Sequence, residues 1–319
     1  MDNLTLSSRN CFARRSIARA SHLRRDDKWI ERHMRNENSL FIPVLRSKSL
    51  VTEDTSPQAV FIESSDAGGL IETAESITFL GEHGEKIYFA AGIGSQDLPL
   101  MEMLKAFGSF KDLRAVGAIL DDFEGSLLAY SRAIAYWHER HRFCGVCASP
   151  TKSGFAGHTR ICTNPECAQD HFPRTDPAII VIVTSGMHCL LGRQPGWPKG
   201  VYSTIAGFVE PGESAESSVA REVMEETGIR VSEVHYHSSQ PWPFPCSIML
   251  GFIAVAEKAE ISVDTTELED ARWFSRGEIQ KAIEDGELRL PGLVSIAYRL
   301  IEHWFDSDGS PRLIDIISS

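Results

Sequence analysis

The stretch GFVEPGESAESSVAREVMEETGI, residues 207–229, sets the chemistry of this 319-residue chain and, with it, the fold. Its second half reads as a helix that Gly228 closes at the C-terminus. On that helix Glu222, Glu225 and Glu226 stand at i, i+3 and i+4, so three carboxylates share one face. Val219, Ala220 and Val223 fall on an adjacent arc suited to packing on a sheet. Like charges so close repel, a cost that surface stability would not select. Mg²⁺ or Mn²⁺ bound by oxygen ligands turns that repulsion into coordination, and the ion in turn holds phosphate oxygens. A solvated acidic face is the plain alternative for any helix with three glutamates.

Around this helix the chain alternates strand-like and helical runs. PAIIVIVTS (177–185) is a short β-branched run suited to a buried strand, with MHCLLGRQ (187–194) as its hairpin partner. YSTIAGFVE (202–210) and CSIMLGFIAVAE (246–257) are further strands, and LVSIAYRLIEHWF (293–305) is a terminal amphipathic helix. Strands interleaved with two helices predict an α/β or α+β catalytic domain, and α+β is the class expected for the chain. Before residue 140 the runs SLFIPVL, AVFIES, SITFLG and KIYFAAGI suggest a strand-rich domain that ends in a helix carrying Leu127, Leu128, Ala133, Ile134 and Trp137. GIGSQD (92–97) has no third glycine and reads as a turn, not a dinucleotide loop. No internal repeat is visible. The division expected is 1–139, 140–172 and 173–319.

Between the two larger parts, FCGVC and RICTNPEC bring Cys144, Cys147, Cys162 and Cys167 within 24 residues. Paired cysteines on two tight turns supply the four corners of a tetrahedral zinc site, and a closed shell of four thiolates leaves no position for water, so the zinc is structural. His158 and His171 lie nearby as bystanders. Ribbons of this kind often bind nucleic acid. The formal charge of −12 is uneven: residues 1–50 hold 11 Lys/Arg against 5 Asp/Glu, which leaves −18 on the remainder. An acidic body argues against broad electrostatic binding of nucleic acid and leaves room for divalent cations. No apolar run approaches the roughly 20 residues of a membrane span. The Arg-rich start admits a transit-peptide reading, which the early Asp26 and Asp27 weaken, so the expected location is cytoplasmic.

Taken whole, the spacing Gly207, Glu213 and then REVMEETGI at 221–229 resembles the Nudix box, with nine residue identities or classes over 23 positions. The resemblance implies hydrolysis of a nucleoside diphosphate linked to another group, on an α/β/α sandwich around a mixed sheet. It implies that Glu222, Glu225 and Glu226 bind metal or activate water, that the Ala206 carbonyl also ligates metal, and that Arg221 and Glu213 brace the loop. The general base is Glu225 or Glu226.

A second stretch narrows the family. SSQPWPFPCSIM (238–249) alternates three prolines with Trp242 and Phe244 and runs into apolar chain. Proline removes a backbone donor and fixes φ, which is odd inside a central strand. Alone, these aromatics read as core packing beside a turn. After a Nudix box, SQPWPFP with a following Ser247 resembles the signature of the NADH pyrophosphatase branch, whose members carry a Cys₄ ribbon and, before it, a degenerate Nudix-like domain. The resemblance implies substrate contacts from Gln240, Trp242, Phe244 and Ser247. It implies a stacking pair of Phe172, in HFPRTDPAII where a tyrosine is usual, with Phe208. It points to Glu267 as a further metal carboxylate, with Glu269 and Asp270 as neighbouring candidates, and to Ala297 at the start of the terminal helix. The expected activity is metal-dependent cleavage of NAD⁺ or NADH to AMP and nicotinamide mononucleotide by a homodimer, with NAD-capped RNA as a second substrate. Rivals are hydrolysis of ADP-ribose or dinucleoside polyphosphates and, from another class, a zinc-ribbon nucleic-acid-binding protein with a vestigial Nudix domain.

Overall fold

The computed structural model describes residues 2–13, 17–94, 98–258, 260–309 and 311–318. Residues 95–97 of GIGSQD and residues 14–16 of the basic start lie outside these. The chain divides into two compact units.

The first unit comprises Arg14–Thr175 and Trp242–Cys246. Its sheet contains β1 (Ser39–Leu45), β2 (Lys48–Val51), β3 (Ile62–Glu63), β4 (Ser76–His83), β5 (Lys86–Ile93) and β6 (Ser109–Lys111). The order is β4-β5-β1-β2-β6, with β3 also on β1. β1 and β5 run parallel, Ser39 opposite Ile87 through Leu45 opposite Ile93. Both faces of these strands are covered, which explains their nearly continuous apolar sequence. Phe41, Leu50, Ile62, Phe79 and Phe89 form one core cluster. The helix Asp122–Arg140 packs against β1, β4 and β5 and buries Leu127, Leu128, Ile134 and Trp137. Asp121 starts it by accepting from the Phe123 N–H at 2.8 Å, an N-cap worth about 1 kcal/mol. A small antiparallel sheet follows: β7 (Thr151–Gly154), β8 (Thr159–Cys162) and β9 (Asp170–His171).

The second unit comprises Met1–Ala13, Asp176–Pro241 and Ser247–Ser319. Its strands are β10 (Asp176–Ser185), β11 (His188–Arg193), β12 (Ile205–Phe208), β13 (Val231–Trp242, reaching the unit's limit), β14 (Ser247–Ala256) and β15 (Asp270–Ser275). The order is β13-β14-β10-β11-β15, with β12 also on β10. β10 and β14 are parallel; the β10–β11 hairpin pairs Ser185 with His188. Alternate residues of β10 face opposite layers, as the strand period requires. Ile179, Val181 and Val183 pack with Val219 and Val223 of the helix Ala215–Thr227. Ile180 and Ile182 pack with Tyr298, Ile301, Trp304 and Phe305 of the helix Ile296–Asp306. Helices Arg276–Glu284 and Leu313–Ile317 complete that side. The unit is therefore an α/β/α sandwich on a mixed sheet.

Two features carry little sequence signal. β13 holds few apolar residues in VSEVHYHSSQPW, because it is an edge strand, and an edge also tolerates Pro241. Residues 2–13 belong with the C-terminal unit although they lie at the other end of the sequence. Ser7 Oγ accepts from the Ser239 N–H at 3.1 Å, and Asn10 Nδ2 donates to Ser238 Oγ at 3.1 Å and Ser239 O at 2.9 Å. Among the described residues, no helix is long and apolar enough to cross a membrane.

Candidate active site and zinc centre

The helix Ala215–Thr227 begins at Ser214, whose hydroxyl accepts from the Ser217 N–H at 3.1 Å. It ends at Gly228, whose φ of 69° is the left-handed cap that glycine adopts without a Cβ penalty. Val219 and Val223 anchor it to the sheet, which turns Glu222 and Glu226 inward, where both are buried. β12 closes on the same spot. A Cβ on Gly207 would lie 2.0 Å from the Glu222 carboxyl, so any larger residue there would push that side chain from its present position; glycine leaves the β12 backbone around Ala206 beside the carboxylate.

One oxygen each from Glu222, Glu226 and Glu267 lies within 4.8 Å of the others. Glu267, the further carboxylate that the resemblance implies, reaches the cluster on the loop before β15. Ser262 N donates to Thr227 O at 2.8 Å and Asp264 N to Glu226 O at 3.0 Å, which ties this loop to the last turn of the helix. Asp264 Oδ1 then accepts from the N–H and hydroxyl of Thr266 at 2.8 and 2.7 Å, forming the turn that carries Glu267. Leu268, just beyond, is buried in the core. Asp264-x-Thr266 is an Asx-turn pattern, a local signal that could have been read. The neighbouring candidates are engaged elsewhere: Glu269 pairs with Arg193 Nε at 2.8 Å, and Asp270 takes the Tyr202 hydroxyl and Arg272 Nε.

Arg221 organises the outer side. Its Nε and Nη2 hold Glu213 in a bidentate pair at 2.6 and 3.0 Å, and Nη2 also donates to Phe208 O at 2.9 Å. Nη1 donates to Glu222 Oε1 and Glu225 Oε2, both at 2.9 Å. Glu225 thus stands on the solvent side of the cluster. Arg221 holds the Glu213 carboxyl down at about 2. At Glu226 the balance is opposite: burial first, then the charges of Glu222, Glu267 and Glu225, push its carboxyl up to about 8. Burial also raises Glu222, against the pull of Arg221. Crowded, buried carboxyls of this kind are stabilised by a divalent cation, and the all-oxygen donor set fits one.

The remaining sequence candidates occupy diverse settings. Phe208 ends β12 and is 60% exposed; Phe172 follows β9 in the first unit and is 64% exposed. Gln240 is fully buried, donating to Cys11 O and Val294 O at 3.0 and 2.8 Å and accepting from the Ile296 N–H at 2.8 Å. Its amide ties the N-terminal segment to the start of the last long helix. Ala297 is buried in the core of that helix. Ser247 is buried opposite Asp176. Trp242 and Phe244 belong to the first unit, edge to face with centroids 4.9 Å apart. Phe244 is buried, with the guanidiniums of Arg114 and Arg132 each 4.6 Å from its ring centre. Two cations on one ring are a packing device in their own right, each worth about 0.5–2 kcal/mol.

The four cysteines converge as their spacing predicts, with all Sγ atoms within 4.8 Å of one another. Cys144 and Cys167 are 3.8 Å apart and Cys147 and Cys162 3.4 Å. A tetrahedron with Zn–S of about 2.3 Å calls for S···S of about 3.8 Å, so the donors fit zinc. His171 Nε2 lies 3.3 Å from Cys144 Sγ, placed to donate to a ligand thiolate from outside the ligand shell. His158 Nε2 instead meets Phe79 O at 2.8 Å.

Residues 174–291 match the NUDIX domain, residues 139–172 the NADH pyrophosphatase zinc ribbon domain, and residues 39–137 the NADH pyrophosphatase-like rudimentary NUDIX domain. The chain carries a Nudix domain. Over 196 residues it is 42% identical to a protein of Macaca fascicularis named NAD-capped RNA hydrolase, covering 58% of this chain and 42% of that one. Over 203 residues it is 43% identical to a protein of the same name from Mycobacterium bovis, covering 60% of this chain and 64% of that one. The chain thus spans less than two thirds of the length of either relative. A solved NUDIX hydrolase from Nitrosomonas europaea aligns with a TM-score of 0.43 at 21% identity, covering 54% of this chain and 94% of that one.

Proposed function

We propose that this Nudix protein hydrolyses the pyrophosphate of NAD⁺ or NADH to AMP and nicotinamide mononucleotide, and removes NAD from the 5′ end of capped RNA. The observation that carries the reading is the convergence of Glu222, Glu226 and Glu267 behind the Nudix box, in a chain that also has the ribbon and rudimentary domains of NADH pyrophosphatases. The names of the relatives support the same substrate class.

Glu222, Glu226, Glu267 and the Ala206 carbonyl would hold Mg²⁺ or Mn²⁺. Bound there, the cation neutralises the two phosphates and lowers the pKa of a water. The rest falls to the chain. Arg221, fixed by Glu213, keeps Glu222 oriented and Glu225 at the mouth. Water oxygen attacks one phosphorus, the anhydride P–O bond breaks, and the proton passes to a carboxylate of this helix, Glu225 at the mouth or Glu226. Exposed Phe208 and Phe172 each offer a ring face to a base. The remaining finer points of this reading are zinc in the ribbon, from the paired cysteine spacing; a homodimer, carried over from the resemblance; a cytoplasmic location; and parts running 1–139, 140–172 and 173–319.

The test is incubation of purified protein with Mg²⁺ or Mn²⁺ and, separately, NADH, NAD⁺, ADP-ribose and NAD-capped RNA. Release of AMP and nicotinamide mononucleotide from NAD(H), with slower turnover of ADP-ribose, is the expected pattern. No cleavage of NAD(H) or capped RNA would sink the reading.

A further inference from the structure

The first unit contains a cavity of about 490 Å³, inside the range of roughly 300–1,000 Å³ typical of small-molecule sites. It lies at the carboxyl ends of the parallel strands β1 and β5, bounded by the C-terminal half of the helix Asp122–Arg140 and by β7 and β8 of the ribbon. None of its lining residues belongs to the carboxylate cluster or the zinc ligands.

Its walls hold more guanidinium than carboxylate. Arg160, on β8, donates from Nε to Thr151 Oγ1 at 2.7 Å, from Nη2 to Thr151 O at 2.9 Å and from Nη1 to His138 Nδ1 at 3.0 Å. All three acceptors are neutral. Burial holds the His138 ring uncharged, with its pKa down at about 4, and its other nitrogen sits 2.8 Å from Gly157 O, where it donates. Arg160 therefore has no carboxylate partner among the described residues, and two of its five N–H groups remain to be satisfied. Arg142 pairs with Glu75. Arg46 stands exposed at the turn after β1, with no carboxylate partner among the described residues, and Glu139 is the second acidic group of the lining. Three guanidiniums against two carboxylates leave the lining at +1 on a chain whose formal charge is −12. The Tyr136 ring completes the wall.

We propose that this cavity binds a 5′-mononucleotide, its phosphate monoester among Arg46, Arg142 and Arg160 and its base against Tyr136. Forked N–H pairs match phosphate oxygens bidentately, which is why arginine and not lysine serves such sites. A cavity this size with a ring on its wall has room for more than inorganic phosphate. The inference stands apart from the hydrolytic reading, since it concerns binding by residues that take no part in it.

The test is calorimetric titration of the zinc-loaded full chain with AMP, and separately with inorganic phosphate, without added Mg²⁺ or Mn²⁺. AMP should bind equally well to wild type and Glu226→Gln, at least tenfold more weakly to Arg46→Glu and Arg160→Gln, and at least tenfold more tightly than phosphate. If Arg160→Gln does not fold, Arg46→Glu at its exposed turn still decides. No AMP binding, or binding lost in Glu226→Gln and unchanged in Arg46→Glu, overturns the proposal. Phosphate binding as tightly as AMP overturns the assignment to a nucleotide.

Discussion

The two large sheets have the same plan. In the first unit β4-β5-β1-β2-β6 carries β3 on β1, and in the second β13-β14-β10-β11-β15 carries β12 on β10. Each has one parallel pair at its centre, β1 with β5 and β10 with β14. The difference lies in the segment after the third strand. In the second unit it is the 13-residue helix AESSVAREVMEET, with three glutamates on one face. In the first it is the six-residue helix GGLIET, with one glutamate, Glu72. Among the described residues, the group that could hold a cation is the cysteine set in the first unit and the carboxylate set in the second. A shared fold therefore does not confer the chemistry; one helix and the loop bringing Glu267 do.

That contrast can be broken in several ways. Glu267→Gln should lower kcat for NAD(H) by about 10²-fold, while Glu72→Gln, in the first unit's counterpart of the carboxylate helix, should leave it unchanged. A loss with Glu72→Gln would mean the rudimentary sheet takes part in turnover. Cys147→Ser removes a zinc ligand and should lower the melting temperature of the first unit by about 5 °C or more, with zinc content falling by metal analysis. An unchanged melting curve would separate the ribbon from stability. Asp264→Ala undoes the turn that places Glu267. It should weaken Mn²⁺ binding, read by calorimetry or electron paramagnetic resonance, about tenfold while the melting temperature moves little. Equal loss of both would make the loop merely structural.

The smallest effect is on pH. Glu226 binds its proton more tightly folded, at about 8, than unfolded, where a glutamate titrates near its ordinary 4.5. Between those values the native state holds the extra proton, so this group's contribution to stability falls as pH rises from about 4.5 through about 8. Without added Mg²⁺ or Mn²⁺, the melting temperature should decline more over that window in wild type than in Glu226→Gln, and added cation should remove the difference. Parallel profiles for the two proteins would contradict the buried, crowded state of this carboxyl.

Much of the second unit was legible because its signals are local. Glu222, Glu225 and Glu226 share a face by helical spacing, Gly228 marks the cap, and the runs at 177–185 and 246–257 are apolar enough to be strands. The four cysteines announce themselves by paired spacing. What stayed hidden depends on distant partners. The duplicated strand order leaves no repeat in the sequence, because a topology is kept by apolar character and not by residue identity, and only the family resemblance implied it. β13 is polar because it lies at an edge. Gln240 stands within a motif that resembles a substrate signature, yet its amide is fully bonded to Cys11, Val294 and Ile296, partners far along the chain. Nothing in the SQPWPFP stretch indicates that Phe244 meets Arg114 and Arg132.

The most direct test of the account compares wild type with Glu226→Gln in Mn²⁺ and NADH, following AMP release alongside thermal melting. The account predicts turnover by the wild type and a fall of at least about 10²-fold in the variant with the melting temperature preserved. Equal rates in the two proteins would contradict the placing of this chemistry at the carboxylate cluster.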